Sequence, residues 1–260
     1  MTDRANRPRS QFRPVSEADL PAEIRAAERT VALTGAGVST ASGIPSFRGE
    51  DGLWNEWDPN SVHRRRLDAD PKGFWRDRLE LRESLYEGSD PEPNAAHRAL
   101  ASMEADGHLD GVVTQNVDGL HAAAGSERLV ELHGTNRRVR CDDCGEQRSA
   151  TPVFERAADG ELPPRCGCGG LYRPDVVLFG ESLPDSAMER AQRLARESDV
   201  MLAVGSSLSV RPASLLPRIA VQAGATLAVV NFEETPLDSD AEYLFRSDVT
   251  DLLPAVADRL

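Results

Sequence analysis

The chain has 260 residues, 40% of them hydrophobic, enough for one large domain or for one domain carrying an insertion. Its formal net charge is −13, and Lys72 is the single lysine among 30 basic residues, a balance that argues against nonspecific DNA or RNA binding. No apolar run approaches a membrane span and the opening MTDRANRPRSQFRP lacks the apolar stretch of a secretory signal, so a cytoplasmic location is the default expectation.

In chain order, residues 1–18 read as a disordered, solvated tail. RTVALTGAG reads as a strand running into a glycine turn. PNAAHRALASMEADG is an amphipathic helix ending at Gly107, DGVVTQN a strand, and LVELHG another after a short helix. VVLFG, DVMLAVGSS and TLAVVNFE read as further strands, separated by the helical stretches SAMERAQRLARES and PASLLPRIAVQAG; VTDLLPAVADRL closes the chain as a helix. Continuous apolar strands alternating with helices predict a doubly wound, Rossmann-like parallel sheet covered on both faces. Ligands of such α/β folds sit at the carboxyl ends of the strands. The polar clusters GAG, TQNVD, ELHG, FGE, GSS and NFE all fall there, which points to an enzyme.

Two segments interrupt the alternation. Residues 44–91 hold a loop and the helical stretch GFWRDRLELRESLYE; residues 137–172 are polar and hold all four cysteines. Both are expected to form a smaller domain beside the nucleotide-binding body of residues 19–43, 92–136 and 173–260. Cys141 and Cys144 in CDDC precede Cys166 and Cys168 in CGC by twenty-one intervening residues. Two close pairs of this kind predict a zinc site rather than disulfides. Four thiolates leave no open position, so the metal is structural. Asp142, Asp143 and Glu146 beside the pairs argue against a nucleic-acid-binding ribbon. The acid-rich, lysine-poor composition suits a cytosol with concentrated, halophilic salt, where screening removes self-repulsion; an arginine-favouring GC-rich genome is the alternative.

In TVALTGAGVSTASGIPSFRG, the residues Gly35, Ala36, Gly37 and Ser39 follow a strand and suit backbone amides facing a pyrophosphate. Thr40 stands where the third glycine of a dinucleotide fingerprint belongs, so an ordinary tight turn is equally open at this point. Phe47 and Arg48, in a glycine-flanked loop, suit covering a ring and holding a phosphate.

GAGVSTASGIPSFRG, TQNVDGLH, ELHG, the two cysteine pairs, RPDVVLFGE, GSSLSVRPA and VVNFE occur in the order found in sirtuins, the NAD-dependent protein deacylases of the silent information regulator family. From about Thr30 to Asp248 the chain resembles that family. The resemblance implies a Rossmann-like domain with a small domain made of a helical insertion and a zinc ribbon. It implies NAD as co-substrate, structural zinc, and an acylated-lysine protein or peptide as partner. The implied reaction is attack of the acyl-lysine carbonyl oxygen on C1′ of the nicotinamide ribose, loss of nicotinamide, and transfer of the acyl group to ADP-ribose.

The resemblance gives His133 the part of general base, its near-neutral pKa suiting proton removal from a ribose hydroxyl. Gln115 and Asn116 hold ribose hydroxyls, Asn116 orders a water, and Asp118, with Val117 beside it, orients the nicotinamide carboxamide. Without the other motifs, TQNVD would read as an Asx turn capping the next helix. Val177 and Phe179 line a tunnel for the acyl-lysine stem. Gly180 and Glu181, and Ser207, Leu208 and Val210, flank a peptide that adds as a strand. Gly205, Ser206 and Ser207 face phosphates or the adenine ribose, Asn231 and Phe232 the adenosine end, and Asp248 the adenine. His121 is expected to pack structurally.

Sirtuins that prefer succinyl or malonyl lysine resemble one another in a Tyr-x-x-Arg pair in the helical insertion. GFWRDRLELRESLYE has no such spacing, with Trp75 or Arg78 in the neighbourhood and Leu81 about where the arginine would stand. This favours neutral acyl groups, acetyl first. The alternatives are a mono-ADP-ribosyltransferase or a deacylase for longer chains; a hydride-transferring dehydrogenase and a noncatalytic zinc module are weaker.

Overall fold

The computed structural model describes residues 19–47, 52–86 and 91–260, so the expected disordered tail and Arg48 lie outside the described residues. The larger layer is a six-stranded parallel sheet: β1 (Thr30–Thr34), β2 (Gly111–Thr114), β3 (Leu129–Glu131), β7 (Val200–Val204), β8 (Thr226–Val230) and β9 (Tyr243–Phe245). Their spatial order is β3-β2-β1-β7-β8-β9. The chain moves outward from β1 to β3, then returns to the other side of β1 and moves outward again. β1 and β7 therefore mark the switch point of the sheet, the place where open α/β sheets bind ligands.

Both faces are covered, which is why β1 and β7 are buried throughout and apolar but for Thr30 and Thr34 at the ends of β1. On one face α1 (Leu20–Ala26), α4 (Ala95–Ala105) and α9 (Val249–Ala257) pack Leu100, Met103, Leu252 and Leu253 against Ala32, Val112 and Leu202. On the other, α7 (Asp185–Glu197) and α8 (Leu216–Ala223) bring Ala191, Ala195, Leu216 and Ala220 to Leu33, Val113 and Val229. α4 begins with a capping box, in which Asn94 Oδ1 accepts from the amides of Ala96 and His97 at 3.0 and 3.3 Å. The short helix α5 (Leu120–Ala124) follows β2.

A smaller body is built on an antiparallel sheet of β5 (Gln147–Ser149), β4 (Gly134–Cys141) and β6 (Tyr172–Val176), in that order. With it pack α2 (Arg64–Ala69), α3 (Pro71–Tyr86) and α6 (Ala150–Ala158). Phe74 and Trp75 from α3 share one core with Val139, Phe154 and Tyr172. Trp75 Nε1 donates to the Tyr172 carbonyl at 2.9 Å, satisfying the one polar atom of an otherwise apolar ring.

Three sequence expectations change. VVLFG is not a strand of the large sheet: only Val176 belongs to a strand, and that strand is in the small sheet. The rest is an irregular segment whose amides go to scattered partners, Val177 to the His133 carbonyl at 2.8 Å and Phe179 to the Val62 carbonyl at 3.2 Å. It is apolar because it lies between the small core and the cavity described below, not because a sheet covers it. The expected limits at 136/137 and 172/173 also cut β4 and β6, which run from Gly134 and to Val176. The edge strand β9 was not anticipated, being three residues long with an outward-facing Leu244.

Candidate active site

The carboxyl ends of β1, β2 and β7 open into one cavity of about 760 Å3 between the two bodies, within the usual range for a small-molecule site. The turn after β1 and the turn after β7 meet backbone to backbone. The Gly37 amide donates to the Gly205 carbonyl at 2.8 Å, and a Cβ placed on Gly37 would lie 2.8 Å from Gly205 Cα. Side chains are excluded there by space, which keeps a cradle of Gly35, Ala36, Gly37, Gly205, Ser206 and Ser207 open along one wall. This is a fit for a pyrophosphate, which needs close backbone approach. Asn231 and Phe232 line the far end, with Phe232 65% exposed.

At the opposite end the polar residues after β2 converge on Ser39. The Asn116 amide donates to the Gly35 carbonyl at 3.1 Å and to Ser39 Oγ at 3.0 Å, and Ser39 Oγ donates to Asp118 Oδ2 at 2.8 Å. Both amide hydrogens of Asn116 are thereby committed, so its Oδ1 is what it can offer a ligand. Asp118 Oδ1 accepts from the Leu120 amide at 2.8 Å, so the Asx-turn residue and the site residue are the same side chain. The Gln115 side-chain amide donates to Ser206 Oγ at 2.8 Å, tying the β2 turn to the β7 turn.

His133, between β3 and β4, bonds through Nδ1 to the Gln115 carbonyl at 2.8 Å. A carbonyl only accepts, so Nδ1 carries the proton and Nε2 is left as the basic nitrogen. Burial pushes the imidazole below its ordinary value, with the Gln115 carbonyl pulling the other way. Behind this layer lies a second, fully buried one. His97 and His121 meet edge to face with centroids 4.8 Å apart. His97 Nε2 is 3.4 Å from Ser39 Oγ, and His121 Nε2 is 2.9 Å from Thr34 Oγ1, which donates to Thr114 Oγ1 at 2.9 Å. Desolvation, opposed by the pull of Asp118 and aided by the smaller push of Arg98, brings His97 to about 4. Desolvation and His97 bring His121 to about 3. His121 packs structurally, and His97, which belongs to no motif at a strand end, packs with it.

The other mouth of the cavity is aromatic. Phe47 stacks on Trp54 at 5.6 Å, and Trp54 meets Phe179 edge-on at 5.5 Å. Trp54 belongs to none of the sequence motifs; two tryptophans in the short, otherwise mostly polar run GLWNEWD are the available signal. Val177, Phe179 and Val210 line the cavity, joined by Leu81, Leu85 and Phe154.

Four of the expected site residues have other partners in this structure. Asp248 caps α9 by accepting from the Thr250 amide at 2.8 Å, and its neighbour Val249 lines the cavity instead. Leu208 turns into the core beneath α8, with φ +52°. Gly180 lies against the His63 ring, and the Glu181 carboxylate points away from the cavity into the small body.

The cysteines come together despite the short second pair. Cys141 and Cys168 Sγ are 3.6 Å apart, Cys144 and Cys166 3.7 Å, and all four lie within 4.8 Å of one another. Tetrahedral zinc–thiolate bonds of about 2.3 Å require sulfur–sulfur edges of about 3.8 Å, so the group fits zinc.

The Sir2 family model matches residues 35–212. An NAD-dependent protein deacetylase of Haloarcula marismortui is 69% identical over 238 residues, 91% of this chain and 92% of its own. An NAD-dependent protein deacetylase of Saccharolobus solfataricus is 44% identical, covering 92% of this chain and 94% of its own. Among solved structures, Sir2 with a p53 peptide and NAD+ superposes with TM-score 0.84 at 35% identity, covering 94% of this chain and 98% of the other. Sir2 with a deacetylated p53 peptide and 3′-O-acetyl ADP ribose gives 0.85 at 34% identity, with the same coverage. With more than half of the sequence matched by the family model and relatives 69% and 44% identical over about nine-tenths of the chain, this chain belongs to the Sir2 family.

Proposed function

We propose that the chain is an NAD-dependent protein-lysine deacetylase, moving the acetyl group of acetyl-lysine onto ADP-ribose and releasing nicotinamide and O-acetyl-ADP-ribose. The observation that carries this reading is His133, held by the Gln115 carbonyl with Nε2 left basic on the wall of the cavity. The deacetylase names of the relatives and the acetyl ADP ribose bound to a related Sir2 protein support it.

NAD, when bound, supplies the labile bond between nicotinamide and its ribose. The chain's own residues do the rest. Gly35, Ala36, Gly37, Gly205, Ser206 and Ser207 bind the phosphates and the adenine ribose; Asn231 and Phe232 take the adenosine end. Asp118 and Val117 orient the carboxamide. Asn116 accepts from a ribose hydroxyl or a water, Gln115 holds the ribose, and His133 Nε2 removes the hydroxyl proton. Phe47, Trp54, Val177 and Phe179 exclude water around the lysine stem. The four cysteines hold zinc in a closed structural site. The salt-adapted reading of the acidic surface stands beside this one. Among the described residues no helix is long and apolar enough to cross a membrane.

The wall of Leu81, Leu85 and Phe154 favours neutral acyl groups and gives a second reading, acceptance of longer chains, its specific support. The test is nicotinamide release from NAD with an acetyl-lysine peptide in concentrated salt. Peptide-dependent release, lost in His133→Ala, supports the reading; peptide-independent release, or ADP-ribose left on protein by mass spectrometry, moves it to a glycohydrolase or transferase.

A further inference from the structure

The segment Val177–Gly180 forms one side of the cavity mouth, yet it has no sheet to hold it. Its position is fixed from behind. The Glu181 carboxylate accepts from the Leu178 amide at 2.8 Å and is gripped by both terminal nitrogens of Arg173, with Nη2–Oε2 at 2.7 Å. The Arg173 side chain is 0% exposed. The same guanidinium donates to the carbonyls of Val176 and Pro174, so it braces the end of β6 and the loop that follows. Two further charges close the group. Arg64 Nη1 lies 2.9 Å from Asp142 and 3.5 Å from Glu181, and Arg173 Nη1 lies 3.8 Å from Asp142. The Arg64 amide also donates to the Phe179 carbonyl at 2.9 Å.

Arg64 is also held by Asp68 of its own helix, at 2.8 Å, so two cations meet three carboxylates in a partly dry pocket. A fully buried arginine is retained only where it is paired and hydrogen-bonded, and removing one partner leaves an uncompensated charge. Each corner belongs to a different part of the small body: α2, the cysteine ribbon, β6, and the cavity-side segment. Asp142 adjoins the ligand Cys141. A hydrophobic contact would have stabilised these parts as well, but the bidentate geometry of arginine with carboxylate also fixes orientation.

We propose that Arg173 and Glu181, with Arg64 and Asp142, are positioning residues that lock the Val177–Gly180 segment in the register that accepts the acyl-lysine substrate. This rests on the deacetylase reading above. The network touches no residue of the phosphate cradle or of the Ser39–Asn116–Asp118 cluster, and the segment it locks meets the catalytic layer only through the Val177 amide on the His133 backbone carbonyl, so its loss acts first on peptide binding and spares NAD.

The experiment compares parent, Glu181→Gln and Arg64→Gln in full-length, zinc-loaded enzyme, measuring kcat and KM for an acetyl-lysine peptide and KM for NAD. Zinc content is read with a chromogenic chelator after denaturation. Glu181→Gln keeps the shape and drops the charge. Arg64→Gln removes a corner whose side chain is 34% exposed, and keeps the fold if the first variant does not. The expected result is a peptide KM raised at least tenfold in Glu181→Gln and about threefold in Arg64→Gln. NAD KM, kcat per zinc-loaded molecule and zinc content stay within twofold. Unchanged peptide KM in the folded variants overturns the proposal, as does a fall in kcat and NAD affinity together, which marks a general loss of structure. A parent without peptide-dependent turnover overturns the deacetylase reading instead.

Discussion

Mild acid should destabilise this protein through two histidines that never meet the ligand. His97 and His121 are buried and uncharged, at about 4 and about 3 against an ordinary 6.5. Thr34 Oγ1 donates to Thr114, so it must accept from His121 Nε2–H. The incoming proton would go to Nδ1, which has no partner among the described residues. Folded-state values below the unfolded ones mean that the unfolded chain takes up the protons first. Stability is therefore fully present above about pH 6.5 and falls as pH drops toward the folded values. Each histidine withdraws up to about 1.4 kcal/mol per pH unit. Allowing for the shallow start near 6.5, the pair removes about 3 kcal/mol between pH 6.5 and about pH 5, a large share of an ordinary folding free energy. His133, also lowered, adds to this, and Glu131, raised by burial, opposes it. The assay is urea unfolding by tryptophan fluorescence at several pH values and fixed high salt, for the parent and His121→Gln. The variant should lose about half the parent's slope in this window. A parent whose stability is flat from pH 6.5 to about pH 5, or a variant with the parent's full slope, would refute the reasoning.

Three other outcomes are expected. His133→Ala should lower kcat with acetyl peptide by about 10²–10⁴-fold with little change in NAD affinity by titration, and the parent's acid limb in kcat/KM should fall below the usual histidine range because burial lowers that imidazole. Cys168→Ser should lose stoichiometric zinc by elemental analysis and melt the small body first, since three thiolates no longer close the site. Gly37→Ala should weaken NAD binding at least tenfold by calorimetry, because its Cβ meets the Gly205 backbone at 2.8 Å.

The large sheet was legible because a buried parallel strand is a near-continuous apolar run, and β1, β7 and β8 are, with threonine only at strand ends. The site was legible where function forces an unusual residue to a strand end: Ser39, Asn116, Asp118 and His133 all meet at the cavity. Apolarity misled at VVLFG, since a segment between a core and a cavity looks the same in sequence as one between two helical layers. The roles of Glu181 and Asp248 were hidden for a different reason. A carboxylate that braces a loop or caps a helix is chemically identical to one that binds a ligand, and only its partners tell them apart. Trp54 and His97 stayed unseen because their neighbours, Phe179 and His121, are far along the chain.

The indole of Trp75 and the carbonyl it donates to are 97 residues apart, and the core they share draws on both insertions. At about 5–20 residues per second of synthesis, α3 leaves the ribosome roughly 5–20 seconds before Tyr172 exists. Through that interval Phe74 and Trp75 have no native surface to cover them, and the large sheet is still waiting for β7. The two insertions are therefore a single inheritance: neither can be transplanted, shortened or lost without stranding the other, and the nascent chain presents a greasy helix to whatever chaperone is nearest while its partner is being made.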